Sequence, residues 1–279
     1  MDPSRFERDT AVERIADGRY GGHIDPGWAV IDGAAPNGGY LMALAARAMR
    51  DPVPAHPDPV TLTAHYLAPP TVGEVEIDVT VLRSGRRHST IEATLSQAGQ
   101  AKVRLLGAFG DLATAAGPTR VDRRPPELPP VEACVDFTAE SERRAASGGF
   151  APPPIAVRFD HRMPASVLGW TQGAPSGRGH VGGHLRWRDE APMDTLGLLV
   201  VADCYPPAVF DSGIGEVAWV PTIELTVQVR ARPAPGYLTA WFRTEAVTTG
   251  YLEEDGEVWD VDGELVVLSR QLALAARPR

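Results

Sequence analysis

The sequence predicts an α+β protein in which one helix-and-sheet unit is written twice, and three observations carry that expectation. Residues 40–49, YLMALAARAM, are apolar on almost every side of a helix, a pattern suited to an enclosed helix. Four alternating runs follow: Val60/Leu62/Ala64/Tyr66, Val75/Ile77/Val79/Val81, Ile91/Ala93/Leu95 and Ala101/Val103/Leu105. A period of two marks half-buried strands. A second apolar run and a second set of strands recur about 164 residues later, with Pro69 falling on Pro233 and Gly99 on Gly263.

Each element has a local reason. Pro36-Asn37-Gly38-Gly39 is turn chemistry opening the first helix. The strands after it are separated by breaks at 69–73, 84–87 and 97–100, the last two short enough for antiparallel hairpins. From 113 to 130 the composition shifts to Ala, Pro, Arg and Glu, which reads as a linker or extended crossover. Pro192-Met193-Asp194 opens a second mostly apolar helix over 195–203, and Ile223/Leu225/Val227/Val229, Leu238/Ala240/Phe242 and Leu265/Val267 alternate behind it. One antiparallel sheet curling around one enclosed helix satisfies both halves. That unit is a hotdog, and two copies in one chain predict a double hotdog packed as a pseudo-dimer. The expected boundaries are an N-terminal hotdog over 1–112, a Pro-rich linker over 113–135 and a C-terminal hotdog over 136–279.

Composition removes several classes of function. The 279 residues hold two cysteines, Cys134 and Cys204, too few for a disulfide scaffold or a thiolate zinc cluster. A net charge of −9 argues against nucleic acid or an anionic membrane as partner. The apolar run 196–202 is far below a membrane span, and the amino-terminal residues mix charges without an apolar core. A cytoplasmic protein is expected. His180 and His184 in GHVGGH have metal-like spacing but no evident third ligand, so no metal and no cofactor are expected. No G-x-S-x-G elbow occurs. Cys204, inside an apolar helix, reads as a core residue.

These residues resemble the acyl-CoA thioesterase II family and the related double-hotdog thioesterases. PNGGYLMALAARAM is similar to that family's Gly-Gly start to the first hotdog helix, and residues 62–100 resemble its strand, Pro-Gly turn, strand, Arg-x-Gly hairpin and next strand. In the second half, VADCYPPAVF, PTIELTVQVRARP and LSRQLAL fall where the family has a helix Asp, a Thr-Ile pair opening a strand, and a Gln in the last strand. The resemblance implies hydrolysis of acyl-CoA thioesters by a water molecule, without metal or covalent intermediate. It places the family's catalytic Asp, Thr and Gln on Asp203, Thr222 and Gln271. The chain departs from the pattern after Glu224, where Leu225 stands instead of a His.

The residues support that assignment on their own chemistry. Asp203 ends an apolar run, so its carboxylate sits at the edge of a core, and burial makes a carboxylate more basic. An exposed helix end, stopped by Pro206 and Pro207, is the plainer alternative. Thr222 and Gln271 supply a hydroxyl and an amide that can fix a water, although by parity Thr222 shares its face with Glu224, Thr226 and Gln228, a stripe that a solvated strand would also show. The overlay places Leu44 to Ala46, Val60 and a residue near Gly107 at the corresponding positions of the first copy, which predicts one site in the pseudo-dimer.

The helix start at Gly38, Gly39 and Tyr40 offers backbone N–H groups for a thioester oxygen, against the simpler reading of a turn that needs Gly. Arg83/Arg86/Arg87 and Arg230/Arg232 are candidates for CoA phosphates, with solvated hairpin arginines as the alternative. The expected partner is a small-molecule acyl-CoA, with no nucleic acid and no membrane, and a homo-oligomer of the pseudo-dimer is expected by analogy. The lost His leaves a second function open, a catalytically idle acyl-thioester binding or assembly protein. A hydratase or dehydratase ranks third, because neither His65 nor His161 stands beside a helix-end Asp.

Overall fold

Asn37 starts the first half's central helix, α2, which spans Gly38–Arg50; the other helices are α1 (Arg5–Asp9), α3 (Phe137–Ala145) and α4 (Gly197–Val201). Its side chain accepts a hydrogen bond from the Tyr40 amide at 2.8 Å, the N-cap arrangement that satisfies one of the helix's free donors. Ten of the helix's residues are buried, from Gly39 to Met49. Each large one contributes about 1.5–3 kcal/mol by leaving water. The structure, a computed structural model, describes residues 3–31, 35–148, 151–215, 217 and 219–276.

Around this helix runs a sheet that continues through both halves. Its first-half strands are β1 (Val12–Ala16), β2 (Arg19–Ile24), β3 (Asp58–Tyr66), β4 (Gly73–Ser84), β5 (His88–Gln97) and β6 (Gln100–Gly110). The second half contributes β7 (Val135–Asp136), β8 (Phe159–Met163), β9 (His180–Trp187), β10 (Thr222–Val229), β11 (Leu238–Arg243), β12 (Val247–Thr248), β13 (Tyr251–Trp259) and β14 (Leu265–Leu274). Their order is β1-β2-β4-β5-β6-β3-β10-β14-β13-β11-β9-β8-β7, with β12 beside β13. The second half repeats the first outward from the β3–β10 junction. Antiparallel pairing of β3 with β10 joins the halves, and the Thr63 and Thr226 hydroxyls lie 2.8 Å apart there. This is the double hotdog.

The duplication is a matter of register. Tyr20 opposite Ile77 recurs as Gly183 opposite Ala240, and Ile77 opposite Leu95 recurs as Ala240 opposite Val258, each residue 163 positions on. In the last strand the shift becomes 164, so that Leu62 opposite Gly107 recurs as Leu225 opposite Gln271. Even the bulge before the junction is copied: the register slips between Pro59 and Thr61 in β3 and between Thr222 and Glu224 in β10.

The helices are not copied so closely. The expected second helix over 195–203 is shortened to α4, Gly197–Val201, because Cys204, Tyr205 and two prolines leave the helical path. Its buried residues pack on α2, and one hydrophobic cluster spans both halves. Between β6 and β7 no regular helix or strand forms until a single 3-10 turn at Val131–Ala133. This stretch is tied to the second half by an Arg123–Glu257 ion pair of 3.1 Å. Among the described residues no helix is long and apolar enough to cross a membrane.

Candidate active site

The start of α2 and the end of α4 meet, and the meeting is built around one carboxylate. Asp203 lies two residues past α4. Its Oδ2 accepts from the Gly39 amide at 2.9 Å and from Asn37 Nδ2 at 3.0 Å, while Asn37 Nδ2 also donates to the Asp203 carbonyl at 2.7 Å. No side chain would fit at either glycine. A Cβ on Gly39 would lie 2.4 Å from the Leu199 carbonyl oxygen, and one on Gly38 would lie 2.7 Å from Tyr66 Oη and 2.9 Å from Asp203 Oδ2. Glycine here permits a close approach between segments far apart in sequence.

Asp203 is therefore not an exposed helix end. It lines a cavity of about 680 Å³. Burial pushes its carboxyl up to about 6, against the pull of the Gly39 and Gly38 amides and the Asn37 side chain. Oδ2 is held by Asn37 and Gly39, and neither of these bonds occupies Oδ1. The group is ionised near neutrality and more basic than a solvated carboxylate, which suits a general base.

Thr222 and Gln271 line the same cavity. Thr222 Oγ1 donates to Gln271 Oε1 at 3.0 Å. Strand parity had put Thr222 on the face of Glu224, Thr226 and Gln228, and the bulge corrects it. With Thr222 opposite Ala273 and Glu224 opposite Leu272, the extra residue turns Thr222 to the face of the buried Gln271. A fourth residue, absent from the sequence reading, completes the row. Glu254 lies opposite Gln271 on β13, lines the cavity, and accepts from Gln271 Nε2 at 3.3 Å and from the Ala208 amide at 2.5 Å. Burial first, and the charge of Asp203 after it, push its carboxyl up to about 8, with Ala208 pulling the other way. It stands in an acidic run, Glu253-Glu254-Asp255, which by itself reads as solvated, so the sequence carried no signal for it.

Other expected residues fall elsewhere. The oxyanion role expected for Gly38, Gly39 and Tyr40 meets amides already in use: Gly39 and Gly38 face Asp203, and the Tyr40 amide donates to Asn37. The Tyr40 side chain is wholly buried, its hydroxyl bonded to the Asp9 carbonyl oxygen. The helix start serves the carboxylate. Tyr66 Oη, buried and without a hydrogen-bond partner, comes to the site instead; burial, then Asp203 and Glu224, hold its hydroxyl well above the usual range.

None of the proposed phosphate-binding arginines lines the cavity, and Arg232 is committed to Asp58 at 2.9 Å. Cys204 Sγ lies 3.6 Å from His161 Nε2. Burial holds the thiol well above its ordinary value and pushes the imidazole down to about 4, so both stay uncharged and no thiolate nucleophile forms. His184 bonds to Thr239 and to the Pro129 carbonyl, and among the described residues no cluster of metal-ligating side chains gathers.

The cavity wall is mainly aromatic and proline: Phe137, Trp170, Tyr205, Phe210, Trp219 and Phe242, with prolines from 69–70, 152–154 and 206–207. An apolar cleft with a few convergent polar groups suits an acyl chain ending in a reactive carbonyl.

Residues 24–110 match the family profile described as acyl-CoA thioesterase N-terminal domain, and residues 125–275 match that of the acyl-CoA thioesterase C-terminal domain. A crystal structure of a candidate thioesterase II from Thermobifida fusca superposes with a TM-score of 0.85 at 29% identity, covering 99% of each chain. The acyl-CoA thioesterase II TesB2 of Mycobacterium marinum shares the fold, with a TM-score of 0.73 at 18% identity over 98% of each chain. An uncharacterised protein of Mycobacterium tuberculosis is 26% identical, over 91% of this chain and 89% of its own.

Proposed function

The chain belongs to the acyl-CoA thioesterase family, and from that premise we propose that it hydrolyses an acyl-CoA thioester with a water activated by Asp203. The observation that carries the reading is the convergence of Asp203, Thr222 and Gln271 on one apolar cavity. Asp203 Oδ1 takes a proton from the water, whose oxygen forms the new bond to the thioester carbon. The C–S bond then breaks, and the thiol departs with the proton. Thr222 and Gln271 fix the water against the carbonyl, which is worth more in rate than their contact energy suggests.

The acyl chain fits the aromatic and proline wall. Among the described residues no Arg or Lys lines the cavity, which supports CoA phosphates outside the mouth with the pantetheine arm spanning the distance.

A hydrolysis screen with acyl-CoAs from acetyl to palmitoyl plus one aryl-CoA, following thiol release, tests the proposal. Turnover of at least one is expected. Binding across the panel without thiol release would reverse the reading in favour of an idle acyl-thioester binding protein.

A further inference from the structure

We propose that Glu254 is a positioning residue for this hydrolysis, holding the Gln271 amide and, through it, the Thr222 hydroxyl in the orientation that receives the attacking water. The inference rests on the thioesterase reading above and assigns a role to a residue outside the Asp, Thr and Gln set.

The argument is one of hydrogen-bond direction. The Ala208 amide can only donate, so Glu254 Oε2 is an acceptor at 2.5 Å, and this contact fixes the carboxyl. With the carboxyl ionised, or neutral with its proton on Oε2, Oε1 accepts from Gln271 Nε2, which turns the amide oxygen of Gln271 toward Thr222, and the Thr222 hydroxyl donates to it. With its hydrogen used, Thr222 presents lone pairs. A water between Thr222 and Asp203 can then give one hydrogen to each and leave its own lone pair for the thioester carbon. Without an acceptor at 254, Gln271 is free to turn over, and Thr222 loses that polarity.

The residue is also out of place by any structural standard. Among the described residues no Arg, Lys or His forms an ion pair with it, and the groups that act on its charge are the acids Asp203 and Glu253. The corresponding residue of the first copy, opposite Gly107 as Glu254 is opposite Gln271, is Ile91, wholly buried. An unpaired carboxyl where the fold accepts isoleucine costs stability, and such costs concentrate at working sites.

The experiment compares Glu254→Gln, which keeps the shape, and Glu254→Ile, which restores the residue of the first copy, with the parent on an acyl-CoA that the parent hydrolyses. Thermal midpoints and folded fractions are measured alongside. The expected result is kcat lower by about tenfold or more in both variants, with KM within about twofold and a folded fraction close to that of the parent. Retention of kcat within about twofold by folded Glu254→Gln, or a loss accounted for by the unfolded fraction, would overturn the proposal. Asp203→Asn, run in parallel, separates the two readings. If it stays active, the hydrolytic mechanism itself fails; if it is inactive while the Glu254 variants are not, only the role of Glu254 falls.

Discussion

The two halves of this chain share strand order, register and even a β-bulge, and differ at the handful of positions where chemistry is possible. On β10, β13 and β14 the positions facing the cavity are Thr222, Glu254 and Gln271; their counterparts in the first half are Pro59, Ile91 and Gly107. A Cβ on Gly107 would lie 2.8 Å from Leu62 Cδ1 and from the Thr61 carbonyl oxygen, so packing fills the space that the second half leaves open. The first half instead lends the start of its helix, and Asn37, Gly38, Gly39 and Tyr66 complete the other half's site. In the proposed mechanism one copy is the scaffold and the other holds the site. The comparison teaches that the fold tolerates polar groups at these positions only where a cavity and partner side chains receive them, since a buried polar group without them costs several kcal/mol.

The largest effect that could break this contrast is at Asp203, which has no acidic equivalent facing a cavity in the first half. Asp203→Asn keeps the shape and the bonds from Asn37 and Gly39 to the remaining oxygen, yet removes the proposed base. Its kcat is expected to fall by about 10²–10⁴-fold with the fold intact by circular dichroism. The parent should show an acid limb in its pH–rate profile near pH 6, because burial raises this carboxyl to about 6 and only the ionised form takes a proton. The sign for stability is opposite. Unfolded, the group ionises near 4; folded, it resists ionising until about 6, so its contribution to stability is lost as pH rises through that window. A profile flat from pH 5 to 7 in the chemical step would remove Asp203 as the base.

A smaller effect sharpens the contrast from the other side. Gly107→Gln puts the second half's amide into the first. With Leu62, Thr61 and Phe109 around the position, overpacking should lower stability by about 1–3 kcal/mol, read as a lower thermal midpoint. The activity per folded molecule should not change. A gain in kcat, or a second class of substrate binding, would mean that the first half retains a latent site.

Much of the fold is legible in the amino-acid sequence alone. The apolar run after Asn37-Gly38-Gly39 gave the enclosed helix, and alternation gave the strands, because both are local patterns imposed by a core on one side. Asp203 and Gln271 carry the same kind of signal, polar groups at the edge of apolar stripes, and both line the cavity. What escaped depends on contacts across the chain. No residue type marks the bulge at Ile223, so parity turned Thr222 the wrong way. Glu254 stands in an acidic run that looks solvated, and only the pairing of β13 with β14 brings it beside Gln271 at the cavity. The Gly38-Gly39 turn offered amides to any oxygen, and nothing local could say that Asp203, 164 residues beyond Gly39, takes one of them. The second helix was overextended because an apolar run of that length fits helix, turn and buried loop alike.

The smallest effect concerns the seam. Thr63 and Thr226 stand opposite one another where β3 meets β10, hydroxyl to hydroxyl at 2.8 Å, at the axis about which the halves repeat. Thr226→Val keeps the shape and the strand preference but leaves Thr63 without this partner. Both residues are partly exposed, so water can replace the bond, and a loss of about 0.5–1 kcal/mol in chemical denaturation is expected. The slope of unfolding with denaturant should stay the same, since one cooperative core spans both halves. Activity should stay within about twofold of the parent, because neither threonine lines the cavity and the main-chain ladder holds the seam. A larger loss of kcat without a matching loss of stability would show that the scaffold half controls the site through the junction as well as through the helix start that binds Asp203.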